Sequence, residues 1–158
     1  MKCTPLLCAG RSAGAFAVAA ALAMVFTPSS PSLAEIEPKH YRQWQLKATE
    51  VLTIVPVSVR PVVTSERHRS GDGMLIHTRV EAEAIVESVT RSASGLKAGD
   101  AIRIEYTTTR AEPPMPGPRP IPVLKRGEHY PAFLLGVSKG LYAPAAKGAS
   151  FEPLIELK

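Results

Sequence analysis

Cysteine is scarce in this chain: its 158 residues include only Cys3 and Cys8. Residues 35–158 therefore can form no disulfide and offer no thiolate, either as a nucleophile or as a metal ligand. Small domains of oxidising compartments often depend on disulfides, and a domain without them must be stabilised by the burial of apolar side chains. A chain of this length can bury about two-thirds of its unfolded surface, which predicts one domain with one core.

Acidic residues are absent from the first 34 positions, where Lys2 and Arg11 precede an uncharged apolar run from Ala13 to Phe26. A polar stretch follows and ends with small residues at positions 32 and 34, as a signal peptidase requires. This pattern predicts a signal peptide over residues 1–34, cleaved after Ala34, and a periplasmic or secreted protein. A retained anchor is the alternative, but a membrane-spanning helix needs about 20 apolar residues. Adjacent arginines and a cysteine after the apolar run are both missing, which favours general secretion.

A strong charge of either sign is also lacking after the predicted leader. The first 34 positions hold Lys2 and Arg11 but none of the 14 acidic residues, so the remainder carries a net charge of about +3. A nucleic-acid-binding protein usually gathers its basic residues on one face, and no nucleic-acid partner is expected here. One local basic cluster is interpreted as a solvated loop, with an anionic-surface site as the alternative: Arg60, Arg67, His68 and Arg69.

Alternation of apolar and polar residues sets in after residue 47 and predicts a mainly β domain. Val51–Val59 is dense in β-branched residues, and Pro56 marks an edge position, a bulge or a break in this strand. In Met74–Ser88 the even positions are apolar and the odd positions mostly polar until Ile85, where a bulge is predicted. Ala101–Thr109 repeats the alternation.

Two further segments are interpreted as strands, a buried one at Tyr130–Gly136 and a closing one at Phe151–Leu157. Arg60–Gly73 is predicted to be a connection, because it ends in a turn-forming cluster. Glu112–Pro122 (EPPMPGPRPIP) is predicted to be an extended, polyproline-like loop. Such a loop can dock into an aromatic groove of a partner; alternatively, its prolines connect strands and block edge pairing.

Two predicted turns share one sequence pattern, Leu-Lys-x-Gly followed by an acidic residue, at Leu96–Asp100 and Leu124–Glu128. In each, we expect the leucine to lie beneath a tight turn and the glycine to supply the backbone freedom that the turn needs. The acidic residue then opens the next strand. The pattern predicts two similar turns in one barrel.

Residues 35–47 form a polar lead-in, which is either a short helix or an extended segment. Tyr41 and Trp44 are three apart and would share one side of such a helix. Trp44 is interpreted as a plug over one end of the core, with a ligand platform as the alternative. Residues 48–158 then form the domain, either a small curled sheet or a closed barrel like those of oligonucleotide/oligosaccharide-binding (OB) proteins.

Three stretches carry a resemblance to a known family: VEAEAIVESV, GLKAGDAIRIEY and LKRGEHYPAFL. Together they span Val80–Leu135 and resemble secreted OB-type domains, including the netrin-like modules related to metalloproteinase inhibitors. The resemblance implies a small barrel that binds ligands on one face and through its loops. Netrin-like inhibitors depend on cysteines, one of them at the mature N-terminus, so their inhibitory mechanism is not implied for a chain that has none after Ala34.

Patterns for catalysis are sparse, since the chain has no G-x-S-x-G elbow and no H-x-H or H-E-x-x-H spacing. His68, Asp72 and His77 would converge across one predicted turn as a metal site. Glu81 and Glu83 would lie about 6.6 Å apart on one strand face, which suits a pair of catalytic carboxylates. We interpret both sets as solvated side chains, expect no cofactor, and keep a metal-dependent or carboxylate-based hydrolase as the alternative.

These observations predict a non-enzymatic, exported binding or accessory module of a bacterial-type cell envelope, whose partner is a protein or an envelope component. A structural subunit of an envelope assembly is a further alternative. The candidate partner-binding residues are Trp44, Arg67, Arg69, Pro116, Gly117, Pro118 and Arg119.

The leader pattern generates a first testable prediction. We expect the exported protein to begin at Glu35, because the small residues at positions 32 and 34 fit the peptidase pocket. Intact-mass measurement of protein from the periplasm or medium checks this. A mass that includes residues 1–34 in a membrane-associated form would instead support the retained anchor.

Overall fold

The computed structural model describes residues 36–67, 73–114 and 117–157, with only the backbone of Arg67 described. The predicted signal peptide and the candidate residues Arg69 and Pro116 lie outside these ranges. The elements within them are α1 (Pro38–Lys47), β1 (Glu50–Arg67), β2 (Met74–Ser92), β3 (Ala101–Glu112), β4 (Tyr130–Ser138), β5 (Leu141–Pro144) and a 3-10 helix (Lys147–Ala149). None of the helices described is long and apolar enough to cross a membrane.

The five strands form a closed barrel in the order β1-β2-β3-β5-β4, with β4 returning to pair with β1. Neighbouring strands are antiparallel except β3 and β5, which run parallel. The predicted mainly β fold is confirmed, in its closed form.

Alternation along the strands builds the core. Successive side chains of a strand point to opposite faces, and the apolar set of each strand faces the inside of the barrel. Of the even-numbered residues predicted for this role, those in the closed part of the barrel are buried, namely Val80, Ala82, Ala84 and Val86 of β2 with Ile102, Ile104 and Tyr106 of β3. Met74, Ile76 and Thr78, predicted for the same face, are exposed or only partly buried, because the barrel does not close around the first half of β2. Leu134 of β4 and Leu52 of β1 complete the wall around them.

Bulges bend the strands where the sheet closes. The bulge predicted near Ile85 occurs two residues later, because Thr53 pairs with Ser88 and Ile54 with Val86, which leaves Glu87 as the extra residue. Another bulge follows Pro56. Pro56 itself lies beyond Ile54, the last residue of β1 that pairs with β4. Pro56 therefore occupies both an edge position and a bulge, two of the three roles that its sequence allowed.

The predicted connection over Arg60–Gly73 is wrong for most of its length. β1 continues to Arg67 and pairs with β2 as far as Met74. Residues 60–66 are exposed on both faces of the sheet, so they lack the apolar alternation that marks a half-buried strand. Backbone pairing with β2, which leaves no such signature in the sequence, makes them a strand.

The predicted closing strand over Phe151–Leu157 is also wrong. β5, only four residues long, closes the barrel instead, and it was too short to stand out in the sequence. Phe151 is buried in the core but lies in a turn, while the chain after it packs against α1.

The lead-in is helical, and Tyr41 rather than Trp44 is its buried aromatic residue. Tyr41 is fully buried, whereas Trp44 is half-buried and meets Tyr41 edge-on at 5.6 Å between ring centroids. Both belong to a second, smaller apolar cluster with Ala146 and Ala149. Trp44 thus packs against the C-terminal region, and the interpretation as a plug over the main core is wrong.

A buried amide joins α1 to the C-terminal segment. Gln45 is fully buried, and its Nε2 donates to the carbonyl oxygens of Ala149 (2.9 Å), Pro153 (3.1 Å) and Glu152 (3.3 Å). Its Oε1 accepts the Ile155 N–H at 3.0 Å. The side chain of Gln45 therefore forms hydrogen bonds with backbone groups of residues 149–155 that are not paired in a strand. These bonds hold the C-terminal segment in place of the strand pairing that the sequence predicted.

The two turns with the shared pattern are alike in the structure. Gly99 and Gly127 have φ values of 93° and 78°, which glycine adopts without strain. Each donates its N–H to a strand carbonyl at 2.8 Å, Gly99 to Val86 and Gly127 to Pro56. Leu124 is buried, and Leu96 packs against the same core. The predicted similarity of these turns is confirmed.

Gln45→Ala is expected to lower the free energy of unfolding by about 2–3 kcal/mol, because buried carbonyl and N–H groups lose their partner. Gln43→Ala is the matched control, since Gln43 is exposed on the same helix, and we expect a change of no more than about 0.5 kcal/mol. Urea denaturation measures both. Equal effects of the two substitutions would contradict the role assigned to Gln45.

Candidate functional site

The barrel closes along only part of its longest strands. β4 pairs with β1 only over Glu50–Ile54, and β5 pairs with β3 only at Arg103 and Ile104. Beyond these points β1, β2 and β3 continue to pair with one another. We call this three-stranded extension the arm; it comprises Arg60–Arg67, Met74–Glu81 and Glu105–Glu112.

The N–H and C=O groups of β3 point alternately toward β2 and away from it. Asp100 O accepts the Val86 N–H on the β2 side, whereas the Arg103 N–H donates to Gly140 O on the opposite side. Backbone groups alternate sides along a strand, so odd-numbered residues of β3 face away from β2. Within the described residues, no strand pairs with the outward-facing groups of Thr107, Thr109 and Ala111.

The edge of β1 on the other side of the arm is different. By the same alternation, Arg60 faces its partner Glu81 on β2, so Pro61 faces the free edge. Proline has no N–H, and an edge that carries it cannot donate a bond at that position to an added strand. The arm therefore has one edge interrupted by proline and one edge, at Thr107–Ala111, with its donors intact.

A groove of about 560 Å³ runs along the intact edge of β3. Thr107–Ala111 form one side of it, and Gly117–Ile121 form the other, which we call the groove wall. Its lining also includes Leu75 and Lys147. The charged residues of the lining are Arg110, Arg119 and Lys147, and no acidic side chain is among them.

A smaller groove of about 220 Å³ continues onto the barrel-side face of the arm. Pro120 and Ile121 line both grooves, as does Thr108. The remaining surface is mostly apolar and includes Val63, which is 63% exposed. Thr108 Oγ1 is buried and has no hydrogen-bond partner among the described residues, although a buried hydroxyl normally has one.

Two tyrosine hydroxyls hold the groove wall in place. Tyr41 OH accepts the Arg119 N–H at 3.0 Å. Tyr106 OH donates to Pro122 O at 2.7 Å and accepts the Leu124 N–H at 3.3 Å. Tyr41 thereby anchors the middle of the wall to the smaller apolar cluster, and Tyr106 anchors the residues that follow the wall to the main core.

Lys147 stands out among the basic residues of the groove. Its φ of 46° is left-handed, a conformation that costs a non-glycine residue roughly 1–2 kcal/mol. Its ammonium lies 5.1 Å from the centroid of the Trp44 ring, within reach of a cation–π interaction. The surrounding packing thus holds a positive charge at the groove at a cost in backbone strain.

The structure brings together only some of the candidate residues predicted from sequence. Gly117, Pro118 and Arg119 line the larger groove, with Arg119 Nη1 3.2 Å from Glu152 Oε2 and its guanidinium over Tyr41. The ring of Trp44, which is partly exposed, lies beneath the ammonium of Lys147. The backbone of Arg67 pairs with Met74 at the end of the arm.

Of the residues considered for hydrolysis, His77 and Glu81 lie on the arm, and Glu83 is exposed on β2 just beyond it. Glu81 and Glu105 share the guanidinium of Arg79, at 3.1 and 3.7 Å. His77 is bonded to Thr109 Oγ1 at 2.8 Å and to Glu66 at 3.2 Å. In the part of the chain that the structure describes, no three metal-binding side chains cluster, and His68 and Asp72 lie outside that part.

Another hollow, of about 600 Å³, lies where the turns after β2 and β4 meet. Two of its hydroxyls are paired, since Ser94 Oγ lies 2.9 Å from Tyr142 OH. Asp100 in turn accepts the Lys97 N–H at 2.7 Å. The polar groups of this hollow stabilise its own turns, whereas the outward backbone groups of Thr107, Thr109 and Ala111 have no strand partner among the described residues.

Comparisons with known proteins return no match, whether with family models, curated proteins or solved structures.

Tyr106 generates a prediction on alkaline stability. Burial raises the pKa of Tyr106 to about 12 from its usual 10, although the Leu124 N–H bond opposes this rise. The fold thus favours the protonated hydroxyl, and this stabilisation is complete below pH 10 and is lost as the pH rises from about 10 to 12. Between about pH 10 and 12, the free energy of unfolding of Tyr106→Phe should therefore fall less than that of the unsubstituted protein.

At pH 7 the same variant should be less stable by roughly 1–2 kcal/mol, because the two hydrogen bonds to Pro122 and Leu124, just after the groove wall, are lost. Urea denaturation of both proteins from pH 7 to 12 gives the comparison. Tyr130, whose pKa is also raised by burial and then by its bond to Glu128, contributes equally to both profiles. Parallel profiles for the two proteins would show that Tyr106 is not the group responsible.

Proposed function

We propose that this chain is an exported, non-enzymatic binding module of a bacterial-type cell envelope and that it holds its partner in the two grooves beside the arm. The leader pattern of residues 1–34 supports export. The observation that carries the binding role is the continuous surface formed by the intact edge of β3, the apolar face of the arm and the groove wall.

We assign the barrel to the OB type. The order β1-β2-β3-β5-β4, with β3 beside β5, supports this assignment, as does the resemblance over Val80–Leu135. OB-type barrels bind ligands on the face of strands 2 and 3 and through adjacent loops. In this chain β2 and β3 form two of the three strands of the arm, so the proposed grooves lie on the equivalent strands.

Exposed apolar side chains mark the arm as a surface that a partner would cover. Val63 is 63% exposed and Met74 39%, both on the barrel-side face of a sheet extension that the barrel does not cover. Contiguous exposed apolar surface is typical of protein-interaction sites. The anchored wall supports the same conclusion, because a preorganised groove lowers the ordering cost of binding.

A photo-reactive residue at Thr107, in the larger groove, is expected to give a discrete cross-linked adduct in cells that export the protein. Lys97 is the matched control, since it is exposed in the turn at the opposite end of β2. Mass spectrometry identifies the adduct. No adduct from position 107, or the same adduct from both positions, would overturn the proposed site. Co-purification in a fixed ratio would favour the structural-subunit alternative.

A further inference from the structure

We propose that the occupant of the larger groove is an extended polypeptide segment rich in acidic residues, which pairs with the edge of β3 as an additional strand. This inference rests on the proposed function and names the ligand class of that site. The backbone of β3 supplies affinity through main-chain hydrogen bonds, and the grooves select the side chains, as in other cases of strand addition.

The direction of the backbone groups selects a polypeptide as the ligand. Thr107, Thr109 and Ala111 each turn an N–H and a C=O toward the groove. Residues two apart on a strand repeat every 6.6 Å or so, so these groups form a row of alternating donors and acceptors about 13 Å long. A second extended chain presents the same alternation, and about five of its residues would match the row.

The groove wall leaves this row available. Pro118 and Pro120 line the groove on the side opposite β3, in a segment that forms neither helix nor strand, and neither has an N–H to donate to the β3 carbonyls. A wall of ordinary residues would pair with β3 and fill the edge. The prolines that the sequence analysis singled out thus keep the wall from becoming a sixth strand.

The groove also has the size and the surfaces for a strand. Its volume of about 560 Å³ lies within the range of ligand sites, roughly 300–1,000 Å³. Alternate side chains of an added strand would point toward the smaller groove, where Ile121 offers apolar contact. Thr108 Oγ1, buried without a partner among the described residues, would gain one from a polar side chain there.

Charge selects the composition of the segment. The lining has Arg110, Arg119 and Lys147 and no acidic side chain. Arg119 is bonded to Glu152, and Arg110 lies 3.2 Å from Glu112, whereas the ammonium of Lys147 lies over the Trp44 ring, 5.1 Å from its centroid. A segment with acidic residues adds anions where the protein supplies a strained, held cation, and its binding should weaken with salt.

The test uses fluorescein-labelled nonapeptides and the exported protein in fluorescence anisotropy. The probe alternates valine and glutamate, and its matched control carries lysine in place of glutamate. We expect the glutamate peptide to bind at least about tenfold more tightly at low ionic strength. Equal binding of the two peptides, or no binding of the glutamate peptide, overturns the proposal.

Proline substitution tests the strand pairing itself. Thr109→Pro removes an outward N–H from β3 and should weaken binding of the glutamate peptide by about tenfold. Ser65→Pro removes an outward N–H from the edge of β1 and should leave binding within about twofold, with Pro61 already present on that edge. Equal effects of the two variants, each checked for a cooperative unfolding transition, would contradict pairing with β3.

Peptide backbone methylation gives the same information without altering the protein. Two versions of the glutamate peptide, methylated on the nitrogens of either the valines or the glutamates, should differ, because only one set of N–H groups faces β3. Binding of both versions as tight as that of the parent peptide would exclude a paired strand.

The outcomes separate this inference from the proposed function. Suppose that position 107 gives adducts but Thr109→Pro does not change the affinity for the glutamate peptide. The binding role would then stand, and strand addition would be excluded. Absence of both adducts and peptide binding would remove the binding role as well. Concentration-dependent dimers that Thr109→Pro abolishes would identify a second copy of this chain as the occupant and overturn the acidic segment.

Discussion

The shortness of β5 is the constraint on which the rest of the structure depends. Four residues at Leu141–Pro144 close a barrel whose first three strands have 18, 19 and 12 residues. Closure is therefore possible only along part of their length, and the remainder must extend as the arm with an edge on each side. A closing strand as long as β3 would have buried Thr107–Ala111 and left neither groove nor unpaired backbone. The candidate site is thus a direct consequence of incomplete closure.

The sequence predicts the closed part of the barrel well, because a strand that is buried on one face has an apolar residue at every second position. Val80–Val86 and Ile102–Tyr106 show that period and lie where it places them. The arm has no buried face over residues 60–66, and its pairing depends on backbone groups that every residue possesses. For this reason the sequence of residues 60–66 predicts a connection instead of a strand. The turn pattern at Gly99 and Gly127 was predictable for a different reason, since only glycine adopts those φ values without strain.

The candidate site was only half visible in the sequence. The density of prolines in the sequence indicates Gly117, Pro118 and Arg119, which belong to the groove wall. The opposite side of the groove consists mainly of threonines, which no sequence pattern distinguishes. The contacts that hold the wall join residues far apart in the chain, as Tyr41 with Arg119 and Gln45 with Ile155 do. A single sequence contains no periodicity that reports such pairs. Their chemistry, buried hydroxyl and amide groups that require partners, becomes recognisable only once burial is known.

Proline placement connects the fold to the proposed activity. An unpaired strand edge is an aggregation hazard that proteins usually block, and here Pro56 and Pro61 remove donors from the edge of β1. Pro118 and Pro120 remove donors from the wall opposite β3. The prolines around the arm therefore leave the edge of β3 as a place where its backbone can gain a partner, and Lys147 lies beside that edge in a strained conformation. Protection of one edge, combined with preservation of the other inside a basic groove, is what a site for an acidic extended chain requires.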